Sequence, residues 1–65
     1  QVAFKAEILE KAYSLLRPDE GEWKDMVVTR LVSMSSDDAK AYSILKNIRA
    51  KEKDTYINSR IDILL

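Results

Sequence analysis

Residues 37–65 read DDAKAYSILKNIRAKEKDTYINSRIDILL, from Asp37 to Leu65, and contain neither glycine nor proline. Composition alone would run one long helix through them. The apolar positions argue otherwise. At about 100° per residue on a helix, Ala41, Ile44, Leu45 and Ile48 centre on one direction. Ile57, Ile61 and Leu64 centre roughly 150° away from it. A straight helix would therefore offer opposite faces to the core at its two ends. The segment between the clusters, Arg49 to Thr55, is almost entirely charged. The spacing predicts a break or tight turn near residues 49–53, with a last helix over 53–64. An unbroken helix whose two halves serve different partners is the alternative reading.

Upstream, Ser35 and Ser36 followed by Asp37 and Asp38 read as an N-cap with acidic first-turn residues, so a helix begins there. Before it, Glu22 to Met34 carries Trp23, Met26, Val27, Val28, Leu31, Val32 and Met34, leaving Asp25, Thr29 and Ser33 as a narrow polar strip. A helix this apolar is expected to be the central, most buried one. A strand at Val27-Val28-Thr29 is discounted, because a lone strand leaves its backbone groups unpaired. The first helix is expected over 2–17. Phe4, Ile8, Leu9, Ala12, Tyr13, Leu15 and Leu16 share an arc roughly 200° wide, with Glu7, Glu10, Lys11, Ser14 and Arg17 opposite. Pro18 ends it, and Asp19 to Glu22 form an acidic turn around the only glycine, Gly21. That turn lacks the ligand spacing of an EF-hand loop, so it reads as a turn and helix start rather than a calcium site.

The reading is thus an all-α fold: one small helical domain over 1–65, part of a longer chain. It has three main helices and a short or 3-10 fourth element before the last. The expected core is Phe4, Ile8, Leu9, Leu16, Trp23, Val27, Leu31, Leu45, Ile48, Ile57 and Ile61. A chain of 65 residues buries a thin core, and with no Cys and no His it has neither disulfides nor a His- or Cys-based zinc site to reinforce it. A hydrophobic fraction of 46% nevertheless favours a folded chain over disorder.

Composition also bounds function. Without Cys or His there is no thiol nucleophile, imidazole base or His-based triad. One glycine excludes a glycine-rich phosphate loop, and no two carboxylates face each other across an apolar pocket. A non-catalytic protein with no cofactor, no metal and no small-molecule substrate is expected. Eleven basic and eleven acidic side chains cancel, which disfavours nucleic acid and membrane surfaces as partners. Their distribution is uneven, with residues 1–38 net acidic and residues 39–65 net basic. Lys46, Arg49, Lys51 and Lys53 lie close together in sequence and form the candidate partner-binding corner. Such a corner fits an acidic or phosphorylated peptide or, as the less favoured alternative, nucleic-acid phosphate. The plainer alternative is a solvated turn in which Glu52 and Asp54 interleave with the cations. Trp23 has two readings, an interface anchor or a core residue clamping the first two helices, and the core reading is preferred. With no basic leader and no apolar run of spanning length, the chain is expected to be intracellular, nuclear or cytoplasmic.

The helix pattern resembles an FF domain. The residues that carry the likeness are Phe4-Lys5 with Ile8-Leu9-Glu10-Lys11, then Trp23 opening the second helix, and Asp37-Asp38 with Tyr42 and Leu45 at a turn. Glu52-Lys53-Asp54 then leads to Tyr56-Ile57 and Ile61. Tyr56 or Ile57 replaces the family's second phenylalanine, and the turn lacks the family's proline and arginine. The resemblance implies three helices with a short 3-10 turn before the last, and a nuclear or signalling adaptor that binds acidic or phosphorylated peptides. Glu52-Lys53-Asp54-Thr55-Tyr56 is also similar to a KIX-type domain, which would imply a groove for amphipathic activation helices. Against these interaction readings stands an oligomerisation or structural segment. It is motivated by the apolar second helix and by Ile61, Ile63, Leu64 and Leu65.

Overall fold

The computed structural model describes residues 5–65. Four α-helices follow one another: α1 Ala6–Leu15, α2 Gly21–Met34, α3 Ala39–Lys51 and α4 Thr55–Asp62. The expected contribution of Phe4, and the first residues of the helix expected over 2–17, lie outside the described residues.

The break in the glycine-free stretch falls where the opposed apolar faces require it. Glu52 leaves the helical region, with its N–H still bonded to the Ile48 carbonyl at 2.8 Å. Two carboxylates build the corner. Glu52 Oε2 accepts the backbone N–H groups of Lys53 and Asp54, both at 3.1 Å. Asp54 then caps α4, accepting from Tyr56 N at 2.9 Å and Ile57 N at 3.4 Å. These side chains take backbone donors that a helix start otherwise leaves unpaired. Asn58, buried behind the corner, donates from Nδ2 to the Glu52 carbonyl at 2.8 Å. The reversal brings Ile57 and Ile61 onto the same core as Ala41, Ile44, Leu45 and Ile48.

The other boundaries have similarly local causes. α1 stops at Leu15, and Leu16 turns extended two residues before Pro18. Glu20 Oε1 holds the turn by accepting Arg17 N at 2.8 Å. Gly21, expected in that turn, is the first residue of α2 and has no positive φ. Ser35 to Asp37 form the next turn. The cap of α3 is Asp38, which accepts from Lys40 N at 2.9 Å, rather than a serine. The segment Asp37–Leu45, matched above to a short turn, is the cap and first half of the 13-residue α3. The short element is α4, with eight residues.

α2 and α3 form the central pair. Each packs against all the other helices, while α1 and α4 flank them without packing on each other among the described residues. Val28, Leu31, Leu45, Ile57 and Ile61 are fully enclosed. Each contributes about 1.5–3 kcal/mol by its removal from water.

Two expected core residues are corrected. Trp23 is 56% exposed and Ile8 is 54% exposed, while Leu16 and Val27 are only half-buried. The Cα envelope measures 15 Å in its shortest direction, room for two helix layers and no third. Each helix therefore keeps one face toward solvent, however apolar it is. On α1 the inward positions are Ala6 and Leu9. Ile8, one residue from Leu9 and hence about 100° round the helix, falls outside them. On α2 the inward positions are Val28 and Leu31, which leaves Trp23 and Met26 on the outer side.

Candidate functional site

The outer face of α2 follows from its inner one. Helical spacing puts Met26 about 170° from the mean direction of Val28 and Leu31, with Glu22 and Arg30 about 40° to either side of it. Glu22, Trp23, Met26, Thr29, Arg30 and Ser33 are all exposed, and Met26 is 58% so. A shallow depression of about 630 Å3 lies on this side of the molecule. Trp23, Met26, Arg30 and Ser33 line it together with Leu9 of α1 and Arg60 of α4. Arg60 is held in place from two directions: its Nη2 donates to the Tyr56 hydroxyl at 2.7 Å, and its Nε stands 3.0 Å from Asp25 Oδ1. The second contact is ionic, its angle falling outside hydrogen-bond geometry. Tyr56 is itself 55% exposed, so Arg60 links it to the depression.

A sequence signal for this face exists. Adding Glu22 and Arg30 to Asp25, Thr29 and Ser33 centres the polar strip within about 40° of Met26 and leaves Trp23 beside its Arg30 edge. Reading only Asp25, Thr29 and Ser33 as polar turns the strip away from both.

A second cluster joins three helices at the corner. The Tyr13 hydroxyl donates to Glu52 Oε1, and Lys24 Nζ reaches the same oxygen at 3.0 Å. The Lys24 and Glu52 side chains are nearly enclosed. Burial works to raise the Glu52 pKa, but the bonds from Tyr13, Lys24 and the Asp54 N–H outweigh it and bring it down to about 2. Burial first, and then the bond to Glu52, push the Tyr13 phenol well above its ordinary value. Glu52 thus stays ionised and Tyr13 protonated throughout the neutral range. Neither is placed to exchange protons there, as a general acid or base must. The cluster works as a clamp between α1, α2 and the α3–α4 corner. No local signal announces it, because Tyr13 and Glu52 are 39 residues apart.

The four basic residues singled out in the sequence do not share one surface. Lys46 lies on the outer side of α3, its ammonium 5.9 Å from the Tyr42 ring centroid. Arg49 binds Asp62 of α4 in a fork, with bonds of 2.7 and 3.3 Å. Lys51, about 160° round the helix from Arg49, lines a separate depression beside Tyr13, Lys24 and Glu52. Lys53 is exposed in the corner. Lys46 and Arg49 remain neighbours, Lys51 turns away from them, and Lys53 lies beyond the end of α3.

α1 carries a further apolar strip of Ile8, Ala12 and Leu15 beside Glu7 and Lys11. Glu7, three residues before Glu10 and four before Lys11, pairs across the interface with Lys40 of α3 at 2.9 Å. Among the described residues no cluster of acidic side chains is arranged to hold a metal ion, and no helix is long and apolar enough to cross a membrane.

Comparison with known protein families, with curated proteins and with solved structures finds no match for this chain. The functional reading therefore rests on the geometry above.

Proposed function

We propose that this chain is a non-catalytic protein-interaction domain that receives a protein partner on the outer face of α2. The observation that carries the reading is the exposure of Trp23 and Met26 side by side, each more than half open to solvent, with Arg60 and Tyr56 adjoining. Trp, Tyr, Met and Arg are the residue types enriched where protein partners bury one another. Arg60 is already fixed by Asp25 and Tyr56, so its ordering cost is met before a partner arrives. The titration of Glu52 and Tyr13 far from neutrality agrees with a non-catalytic role.

The acidic or phosphorylated peptide implied by the FF resemblance would instead engage Lys46 and Arg49, the adjacent members of the basic set. An adaptor role in the nucleus or cytoplasm belongs with that resemblance. The two faces are told apart by titrating a panel of amphipathic helical peptides and phosphopeptides into the chain while following Trp23 fluorescence. Binding by a helical peptide that blue-shifts Trp23, and is lost in Trp23→Ala and Met26→Ala, supports the α2 face. Binding that ignores those variants but is lost in Lys46→Glu and Arg49→Glu moves the site to α3.

A further inference from the structure

We infer that Met26 is a reversible oxidation site, and that its sulfoxide closes the α2 face to a partner. This rests on the interaction reading above and adds the regulation of that face.

The chain holds two methionines and no cysteine, so no thiol competes with them for an oxidant. Both lie on α2, in different surroundings. Met26 is 58% exposed and lines the depression beside Trp23 and Arg60. Met34, the last residue of the helix, is half-buried and packs against the core. A peroxide reaches a thioether fastest where the side chain is open to solvent, which selects Met26.

The chemistry needs only the oxidant. A sulfur lone pair of Met26 attacks one oxygen of hydrogen peroxide, the S–O bond forms as the O–O bond breaks, and the other oxygen leaves as water. Sulfur loses two electrons and the peroxide gains them. Methionine sulfoxide reductases reverse the step, one enzyme for each epimer at sulfur. A dithiol supplies the two electrons and the oxygen departs as water.

The product alters the face and spares the core. A flexible apolar side chain becomes a polar, chiral one. Met26 points about 170° away from Val28 and Leu31, so the change falls on the side of α2 turned from the core. A partner resting on Met26 has to cover the new oxygen, which then loses its hydrogen bonds to water. Trp23, three residues earlier on the same helix, lies beside the new dipole. The apolar strip of Ile8, Ala12 and Leu15 on α1 carries no group that a peroxide oxidises, so the control is confined to α2.

Brief exposure of the chain to hydrogen peroxide, with peptide mapping by mass spectrometry over time, tests the inference. Met26 should oxidise about threefold faster than Met34 or more. Met34→Leu, a volume-conserving change, then gives a chain oxidised at Met26 alone. Its melting temperature should move by less than about 4 °C. Its Trp23 emission should shift, and the two reductases with a dithiol should restore it. A helical peptide that binds through Trp23 should bind this sulfoxide form about tenfold more weakly or worse, and recover after reduction. Met26→Leu, taken through the same exposure, should hold whatever affinity it has unchanged by peroxide. Met34 oxidising first or equally fast, a melt that collapses on oxidation of Met26, or a sulfoxide form that binds the peptide as before overturns the inference. The last of these leaves the interaction reading standing. If the unoxidised chain binds no helical peptide, the interaction reading falls and the inference falls with it.

Discussion

Glu52→Gln tests how far one carboxylate holds this fold together. In the native chain, Glu52 accepts from the Tyr13 hydroxyl, Lys24 Nζ and the N–H groups of Lys53 and Asp54. It thereby ties α1 and α2 to the α3–α4 corner. Its pKa falls from an ordinary 4.5 to about 2 on folding. A carboxyl whose pKa is lowered by folding contributes stability that is fully present above the unfolded value. That stability is lost as pH falls through the folded one. The shift corresponds to about 3 kcal/mol at neutral pH. Solvent at the edge of the neighbouring depression screens part of that, so about 2 kcal/mol is expected. Gln keeps the shape but not the charge, and leaves the nearly enclosed Lys24 ammonium unneutralised. The whole domain is worth about 3–10 kcal/mol by its size, so the loss is a large share. Urea unfolding followed by far-UV circular dichroism should show the variant about 2 kcal/mol less stable at pH 7. The deficit should shrink to less than half by about pH 3, as wild-type Glu52 loses its advantage. A Gln variant as stable as wild type at pH 7, or one whose deficit does not diminish on acidification, would refute the clamp.

Three further outcomes are expected. Leu31→Ala, at a fully enclosed position of α2, should cost about 2–5 kcal/mol in the same unfolding assay, whereas Trp23→Ala should stay near or below about 1 kcal/mol because the indole is more than half exposed. Asp54→Ala removes the acceptor for Tyr56 N and Ile57 N and should cost about 1 kcal/mol, with the loss visible first as fraying of α4 in amide hydrogen exchange. Gly21→Ala should raise stability by about 0.4–1 kcal/mol: Gly21 is helical, its φ is not positive, and an added Cβ meets nothing within 4 Å.

Much of the helical plan was legible because it is periodic. The directions of Ala41, Ile44, Leu45 and Ile48 against Ile57, Ile61 and Leu64 located the break without a glycine or proline to mark it. Pro18 located the end of α1, and the run Ser35 to Asp38 located the start of α3 to within a few residues. The parts that were not legible depend on neighbours remote in sequence. Tyr13, Lys24 and Glu52 carry no motif, and only the fold brings them to one oxygen. Lys46, Arg49, Lys51 and Lys53 looked like one patch because they are close in sequence. Helical rotation keeps Lys46 beside Arg49 but turns Lys51 away from them, and Lys53 falls past the end of α3. Trp23 looked internal because hydropathy ranks residues without knowing how many layers exist to cover them.

One repeated hexapeptide separates the two kinds of information. Lys11-Ala12-Tyr13-Ser14-Leu15-Leu16 and Lys40-Ala41-Tyr42-Ser43-Ile44-Leu45 are nearly the same word. By itself the sequence determined that both are helix-forming, since local spacing and propensity act within a few residues. The tertiary structure alone decided which way each one faces. In α1, Tyr13 turns toward Glu52 while Leu15 is 74% exposed. In α3, Ile44 is buried while Tyr42 is exposed. The first copy ends a flanking helix that rests on α2 and α3, and the second begins a central helix enclosed by three others. Burial depends on how many neighbours surround a side chain, and that number is a property of the packed molecule.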